Sequence, residues 1–364
     1  MNVLLAGMDS LRLTRLARRD PDLLLVPCDA PRPEDCGPVP PEVLRAALPP
    51  ELSGFDADRP ISLVALSRET RSQSARVKPL TVLAALPPAS FLEVVRADGG
   101  CWSGEGEPVR LFVESPGLNL VHVSRRMGEL VKRGALSEGA ALARLLSLVM
   151  ESCGLYARDP IRPAEGECAY DVELQVRADD LRACMNGLDR MRGLRLAREA
   201  ARFAHDGSGS PGETILSLVM RLPPRRGGIP MPDFEENVPI VWPAGARGLV
   251  RHGTMRPDFH WPRHRVASEF DGGVHGLAGA LAEDRFRAQD YAACDIVMVP
   301  ATYADIRSAT AIERYVMLVA HKLARCEDDC FLRRVSASVK DPRARAERVV
   351  LLSQLLPPDM RREP

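Results

Sequence analysis

The spacing of apolar positions changes along the chain. Between about 60 and 115, short apolar runs alternate with turn residues, and 61–66, 81–85, 91–95 and 109–113 read as strands or short helices of an α+β unit. From about 116 to 205 the spacing is helical. Pro116 opens a helix over 118–127, Ser137 and Glu138 begin one that runs to about Cys153, and 178–185 and 195–203 supply two more. Ahead of these, Pro27, Pro31, Pro33, Pro38, Pro40, Pro41, Pro49 and Pro50 make 27–50 an irregular surface segment with at most a short helix near 42–47. His205-Asp206-Gly207-Ser208-Gly209 reads as a polar linker.

After the linker the pattern is more explicit. In Ser210-Pro211-Gly212-Glu213, Ser210 can accept the third helical amide, Pro211 suits the first turn, and Glu213 can reach back to the Ser210 amide. Ile215, Leu216, Leu218, Val219 and Leu222 supply the buried face of that helix, and Pro223-Pro224 stops it. Three strands are predicted next, over 234–242, 255–261 and 265–271, the last two joined by a Pro262-Arg263-His264 turn. A helix over 282–293 and a buried strand over 295–300 complete the order helix, three strands, helix, strand.

Two carboxylates stand out in that order. Asp258 lies on one hairpin strand and Glu269 on the other, with Asp271 two positions beyond, so Glu269 and Asp271 are expected on one face with Asp258 converging across the hairpin. Carboxylates have little reason to crowd an apolar strand such as Val266-Ala267-Ser268-Glu269-Phe270 unless a cation joins them. Hard oxygen donors suit Mg²⁺ or Mn²⁺. Such an ion orients a water nucleophile and neutralises a scissile phosphate. His252, His260 and His264 read as surface histidines rather than zinc ligands, and Trp242 and Trp261 as packing residues.

Composition changes this picture only in part. In 364 residues, 49 Lys+Arg balance 49 Asp+Glu, so bulk positive charge does not explain nucleic-acid binding and a DNA surface has to be assembled locally from Arg. The lysines are Lys78, Lys132, Lys322 and Lys340, leaving none between 132 and 322. With 45% hydrophobic and 27% charged residues the chain can bury a core. Nine scattered cysteines do not form a disulfide framework, and Cys326 and Cys330 lack a second pair for zinc. The first residues lack a basic segment ahead of an apolar run, and no stretch has the ~18 apolar residues of a membrane span, so a cytoplasmic location and no membrane partner are expected.

The spacing Asp258-x10-Glu269-x-Asp271 resembles the motif of the PD-(D/E)XK restriction-endonuclease-like fold. It is most similar to small nucleases related to very-short-patch-repair endonucleases, found as domains of unknown function in actinobacterial proteins. The likeness runs over about 210–306 through Ser210-Pro211-x-Glu213, Arg256-Pro257-Asp258-Phe259-His260-Trp261-Pro262, Ser268-Glu269-Phe270-Asp271-Gly272-Gly273-x-His275, Asp284-Arg285-x-Arg287, 291–299 and Thr302-x-x-Asp305-Ile306. Ser115-Pro116 and Glu151-Ser152-Cys153-Gly154-Leu155-Tyr156 resemble the upstream half of such proteins, some of which begin with an antitoxin-like DNA-binding domain.

The resemblance implies that Asp258 and Glu269 hold the metal. Asp271, standing where the superfamily carries lysine, would be a further ligand or proton acceptor. His275 would carry a proton or contact phosphate, and Glu213 would lie near the metal through water. Arg285 and Arg287 would face the DNA backbone or pair with carboxylates, and the charge balance separately assigns phosphate contacts to clustered Arg such as Arg251, Arg256, Arg263 and Arg265. The expectation is an α+β protein with a Pro-containing N-terminal region (1–115), a helical middle (116–205), a nuclease-like α-β-β-β-α-β domain (206–325) and a C-terminal tail or helix (326–364). Its expected activity is Mg²⁺-dependent endonucleolytic cleavage of DNA, with a protein partner open to residues 1–205. The alternative is a catalytically inactive DNA-binding or antitoxin-like regulator on the same fold.

Overall fold

A computed structural model describes residues 1–53, 59–100, 102–104, 107–246, 248–272 and 278–357. The chain is a mixed α+β protein that divides into two compact units, Met1–Ala204 and His205–Pro364.

The first unit runs β1 (Asn2–Leu4), α1 (Gly7–Arg19), β2 (Leu23–Cys28), α2 (Pro41–Ala47), α3 (Pro50–Ser53), β3 (Ile61–Ala65), β4 (Val77–Thr81), β5 (Phe91–Arg96), β6 (Trp102–Gly104) and β7 (Glu107–Glu114). It continues as α4 (Pro116–Lys132), α5 (Glu138–Ser152), β8 (Tyr156–Ala157), β9 (Ala169–Tyr170), α6 (Ala178–Gly187) and α7 (Leu194–Arg202). Strands β1-β7-β5-β2 form one sheet, with β1 parallel to β7 and β6 added beside β7. Ser115 and Ser137 cap α4 and α5 by accepting the amides of Leu118 and Ala140.

Two expectations for this unit need correction. The strand expected at 81–85 lies instead at Val77–Thr81, because it pairs in parallel with β3 from Ile61↔Val77 to Ala65↔Thr81. The 27–50 segment is not confined to the surface. Helix α2 buries Leu44 and Ala47 in the same cluster as Leu13, Leu63 and Leu111, an apolar anchor within an otherwise Pro-broken stretch.

The second unit runs α8 (Pro211–Arg221), β10 (Glu235–Glu236), β11 (Phe259–Trp261), β12 (Val266–Ser268), β13 (Phe270–Asp271), α9 (Ala278–Ala293), β14 (Val297–Met298) and β15 (Ala301–Thr302). Helices α10 (Tyr303–Ile306), α11 (Ala309–Leu323), α12 (Phe331–Lys340) and α13 (Pro342–Leu355) follow. Its four-stranded sheet has the order β10-β11-β12-β14, antiparallel at the first two pairings and parallel at β12–β14. The strands are shorter than expected: 234–242 contributes two ladder residues, and 265–271 breaks at Glu269 into β12 and β13. Beyond the break the chain changes partner, and Phe270 and Asp271 pair with Ala301 and Thr302 of β15.

Trp242 and Trp261 are buried, in keeping with the packing role expected of them. Trp261 also donates its indole N–H to the Pro232 carbonyl at 3.0 Å. Helices α12 and α13 belong to this unit rather than forming a separate tail. Arg348 of α13 is fully buried, bonded to the Gly227 carbonyl at 2.9 Å and to Glu313 at 2.5 Å.

Candidate functional site

Local chemistry places the first carboxylate. Ser210 caps α8 by accepting the Glu213 amide at 3.2 Å. The return bond differs from the expected box: Glu213 Oε2 accepts the amide of Gly209 at 2.7 Å, not that of Ser210. The Asn237 side chain donates to the same oxygen at 2.7 Å and to the Gly207 carbonyl at 2.8 Å. Buried Glu213 has its carboxyl raised above the usual range, chiefly by loss of water, against these hydrogen bonds and the charge of exposed Arg256.

Asp258 precedes β11. Continuing the β11–β12 register one step past Phe259↔Ser268 sets it opposite Glu269. Its Oδ2 accepts the Phe270 amide at 2.6 Å, the first N–H after the strand break. Its carboxyl is pushed up to about 8, first by burial and then by the charges of Glu213 and Glu269, while the Phe270 amide and Arg287 pull the other way. The fold thus brings three of the expected site residues into electrostatic contact.

The third, Glu269, is held from α9. Arg287 and the Tyr291 hydroxyl, one helical turn apart, both donate to Glu269 Oε1, Tyr291 at 2.7 Å. Among the described residues, Asp258 Oδ1 and Glu269 Oε2 carry no hydrogen bond. Arg285, two residues from Arg287, is exposed, so the pair projects from different sides of the helix. Asp271 is exposed on β13, and because the ladder changes partner at Glu269, regular strand alternation does not carry across to it. His275 lies outside the described residues.

The expectation of three surface histidines fails for His260 and His264, while His252 is partly exposed. His260 is buried on β11, and the His264 side chain is covered, with Nε2 2.7 Å from Glu327. His252 places Nδ1 2.5 Å from Asp290. Each partner acid lies far along the sequence, or on the neighbouring strand, and so was hidden from local spacing.

Glu236 was not anticipated. It is buried on β10, its Oε1 accepts from Ser217 at 2.7 Å and from Arg221 at 3.0 Å, and its Oε2 is buried without a partner among the described residues. Burial raises its carboxyl to about 7, with Arg221 and Ser217 opposing and Glu213 adding to the rise. A signal did exist. Glu213, Ser217 and Arg221 recur at four-residue spacing on an otherwise apolar helix, marking a polar stripe that needs a facing group.

Among the described residues, no group of three or more His, Cys, Asp or Glu side chains is arranged around a common metal position. Mg²⁺, however, often uses only one or two carboxylates beside waters and substrate oxygens. On donor chemistry, the unbonded oxygens of Asp258 and Glu269 fit such an ion. Comparison of the chain with protein-family models, curated proteins and solved structures finds no match in any of the three.

Proposed function

We propose that the second unit is a divalent-cation-dependent nuclease of the restriction-endonuclease-like kind, acting on DNA phosphodiesters. The observation that carries this reading is the gathering of Asp258, Glu213 and Glu269, in which burial first and then the charges of Glu213 and Glu269 push the Asp258 carboxyl up to about 8. Three acids brought together at that cost are a site suited to positive charge. The order α8, β10, β11, β12, β13, α9, β14 supports the reading in outline, with the third expected strand split at Glu269 into β12 and β13.

Asp258 and Glu269 would hold Mg²⁺ or Mn²⁺, with Glu213 behind them. The bound ion would activate water and neutralise charge at the scissile phosphate. The Phe270 amide fixes the Asp258 rotamer, and Tyr291 and Arg287 fix that of Glu269. Arg256 and Arg285 are exposed, and guanidinium geometry suits contact with phosphate. Asp271 and His275 remain proposed proton-handling residues. DNA is the proposed partner, with residues 1–205 open to a protein partner.

The second reading, a non-catalytic DNA-binding or antitoxin-like regulator, is favoured by one observation: Arg287 already neutralises Glu269. A plasmid-nicking assay with Mg²⁺ or Mn²⁺ separates the two. Metal-dependent nicking lost in a folded Asp258→Ala variant supports the nuclease. Salt-sensitive DNA binding without nicking supports the regulator, and metal-dependent nicking that persists in Asp258→Ala removes this site from catalysis.

A further inference from the structure

The first unit contains a cleft of about 470 Å³ between the start of α1, strands β3 and β4, and α4. That is within the ~300–1,000 Å³ of small-molecule sites. Met8, Leu80, Val123 and Met127 give it an apolar wall. Its charged lining is asymmetric: Arg59, Lys78, Arg125 and Arg126 face one carboxylate, Glu129. Glu129 is shared by two of those cations, at 3.3 Å from Arg125 and 3.6 Å from Arg126. Arg59 is steadied from behind by Asp9, whose other oxygen accepts the Ser62 amide at 2.8 Å.

The wall also contains a built polar group. His122 on α4 is more than nine-tenths buried and lines the cleft, with Nδ1 against Glu114. Glu114 is fully committed elsewhere, its Oε2 accepting the Gly7 amide and the Asn119 side chain, each at 2.8 Å. The ring is therefore fixed by its inner nitrogen. Its other nitrogen, Nε2, has no hydrogen-bond partner among the described residues. Held this way on the cleft wall, the imidazole can offer that nitrogen to a bound ligand or water.

We propose that this cleft binds a small organic anion, with a carboxylate or phosphate-like head among Lys78, Arg126 and the His122 Nε2, and an apolar body against Met8, Leu80, Val123 and Met127. Neither half of the lining explains the other: cations alone would suit a bare anion at the surface, and apolar residues alone would need no buried histidine. The site lies wholly within the first unit and does not depend on the nuclease reading.

The test uses the full chain and 8-anilinonaphthalene-1-sulfonate, an apolar anion whose fluorescence reports an apolar environment, with decanoate and inorganic phosphate as competitors. The expected result is saturable 1:1 dye binding, displaced by decanoate and not by equal concentrations of phosphate. Lys78→Glu/Arg126→Glu changes exposed side chains and is expected to weaken binding at least tenfold. Met127→Trp, which fills the cleft, is expected to abolish it. Absence of saturable binding, or binding indifferent to Met127→Trp, overturns the site. Binding lost in Met127→Trp but unchanged in the charge-reversed variant overturns the assignment to anions.

Discussion

The Asp258 carboxylate accepts the Phe270 amide at 2.6 Å. One side chain therefore faces the acids Glu213 and Glu269 and also pins the chain just beyond the point where its strand changes sheets. Any change to its charge is expected to register in stability as well as in activity.

Without metal, the second unit should lose stability as pH rises. The folded Asp258 carboxyl sits at about 8 against 3.8 for the free group. A raised acid holds its proton more tightly in the folded chain, so its contribution is complete below about pH 4 and is lost as pH climbs through about 8. Asp258→Asn should flatten this decline and gain about 1 kcal/mol at pH 8, roughly 2–4 °C in melting temperature for a unit of this size. Added Mg²⁺ should stabilise the wild type at pH 8 and leave the Asn variant unmoved. Thermal melts across pH, with and without Mg²⁺, check both outcomes, and a variant as pH-sensitive as the wild type would refute the assignment.

Arg287 competes with any cation for Glu269. Arg287→Ala should tighten Mg²⁺ binding roughly two- to tenfold by calorimetry while slowing nicking at saturating metal by about tenfold or more, since Glu269 loses its fixed orientation. Weaker metal binding in this variant would instead make Arg287 a supporting residue of the ion site.

Glu236 offers a separate comparison. Glu236→Gln keeps a group that can meet Ser217 and Arg221, and should cost under about 1 kcal/mol at pH 6. Glu236→Ala leaves both buried donors unmet and should cost about 2–4 kcal/mol. Because burial raises this carboxyl to about 7, the wild type should be less stable at pH 8 than at pH 6 relative to the Gln variant. Urea unfolding at the two pH values measures the difference.

In the first unit the sign reverses. Buried Glu151 suffers desolvation, yet Arg15, bonded at 2.8 and 2.6 Å, and Arg158 hold its carboxyl down to about 2. Its contribution is present above about pH 4.5 and is lost as pH falls towards 2. Glu151→Gln should cost about 3–5 kcal/mol at pH 7, by stranding the Arg15 charge, and progressively less in acid.

Gly212 tests the packing beneath the site. A Cβ there would meet the Phe270 ring at 2.1 Å. Gly212→Ala should destabilise the second unit by about 1–3 kcal/mol, although alanine is the better helix former. A stabilised variant would mean that the ring moves aside freely.

Local periodicity announced the helices of the middle region and the start of α8, because each buries an apolar stripe, beside a serine cap in α4, α5 and α8. It was silent on α1, whose buried positions include Asp9, Ser10, Thr14 and Arg15. Polar residues satisfied by distant partners such as Glu151 and Ser62 erase the hydrophobic rhythm that a local reading depends on. The juxtaposition of Asp258 with Glu269 was legible from hairpin register. The hold of Tyr291 and Arg287 on Glu269, and the pairing of Glu236 with α8, were not, since both join segments 15–22 residues apart across turns of irregular geometry.

The grip of Arg348 on the Gly227 carbonyl spans 121 residues. During synthesis, α8 and the turn after it leave the ribosome long before that guanidinium exists. At roughly 5–20 residues per second, those carbonyls wait some 6–24 seconds for their partner. The nascent chain therefore passes through an interval in which Glu213 is made but the turn behind its helix is not yet held by Arg348.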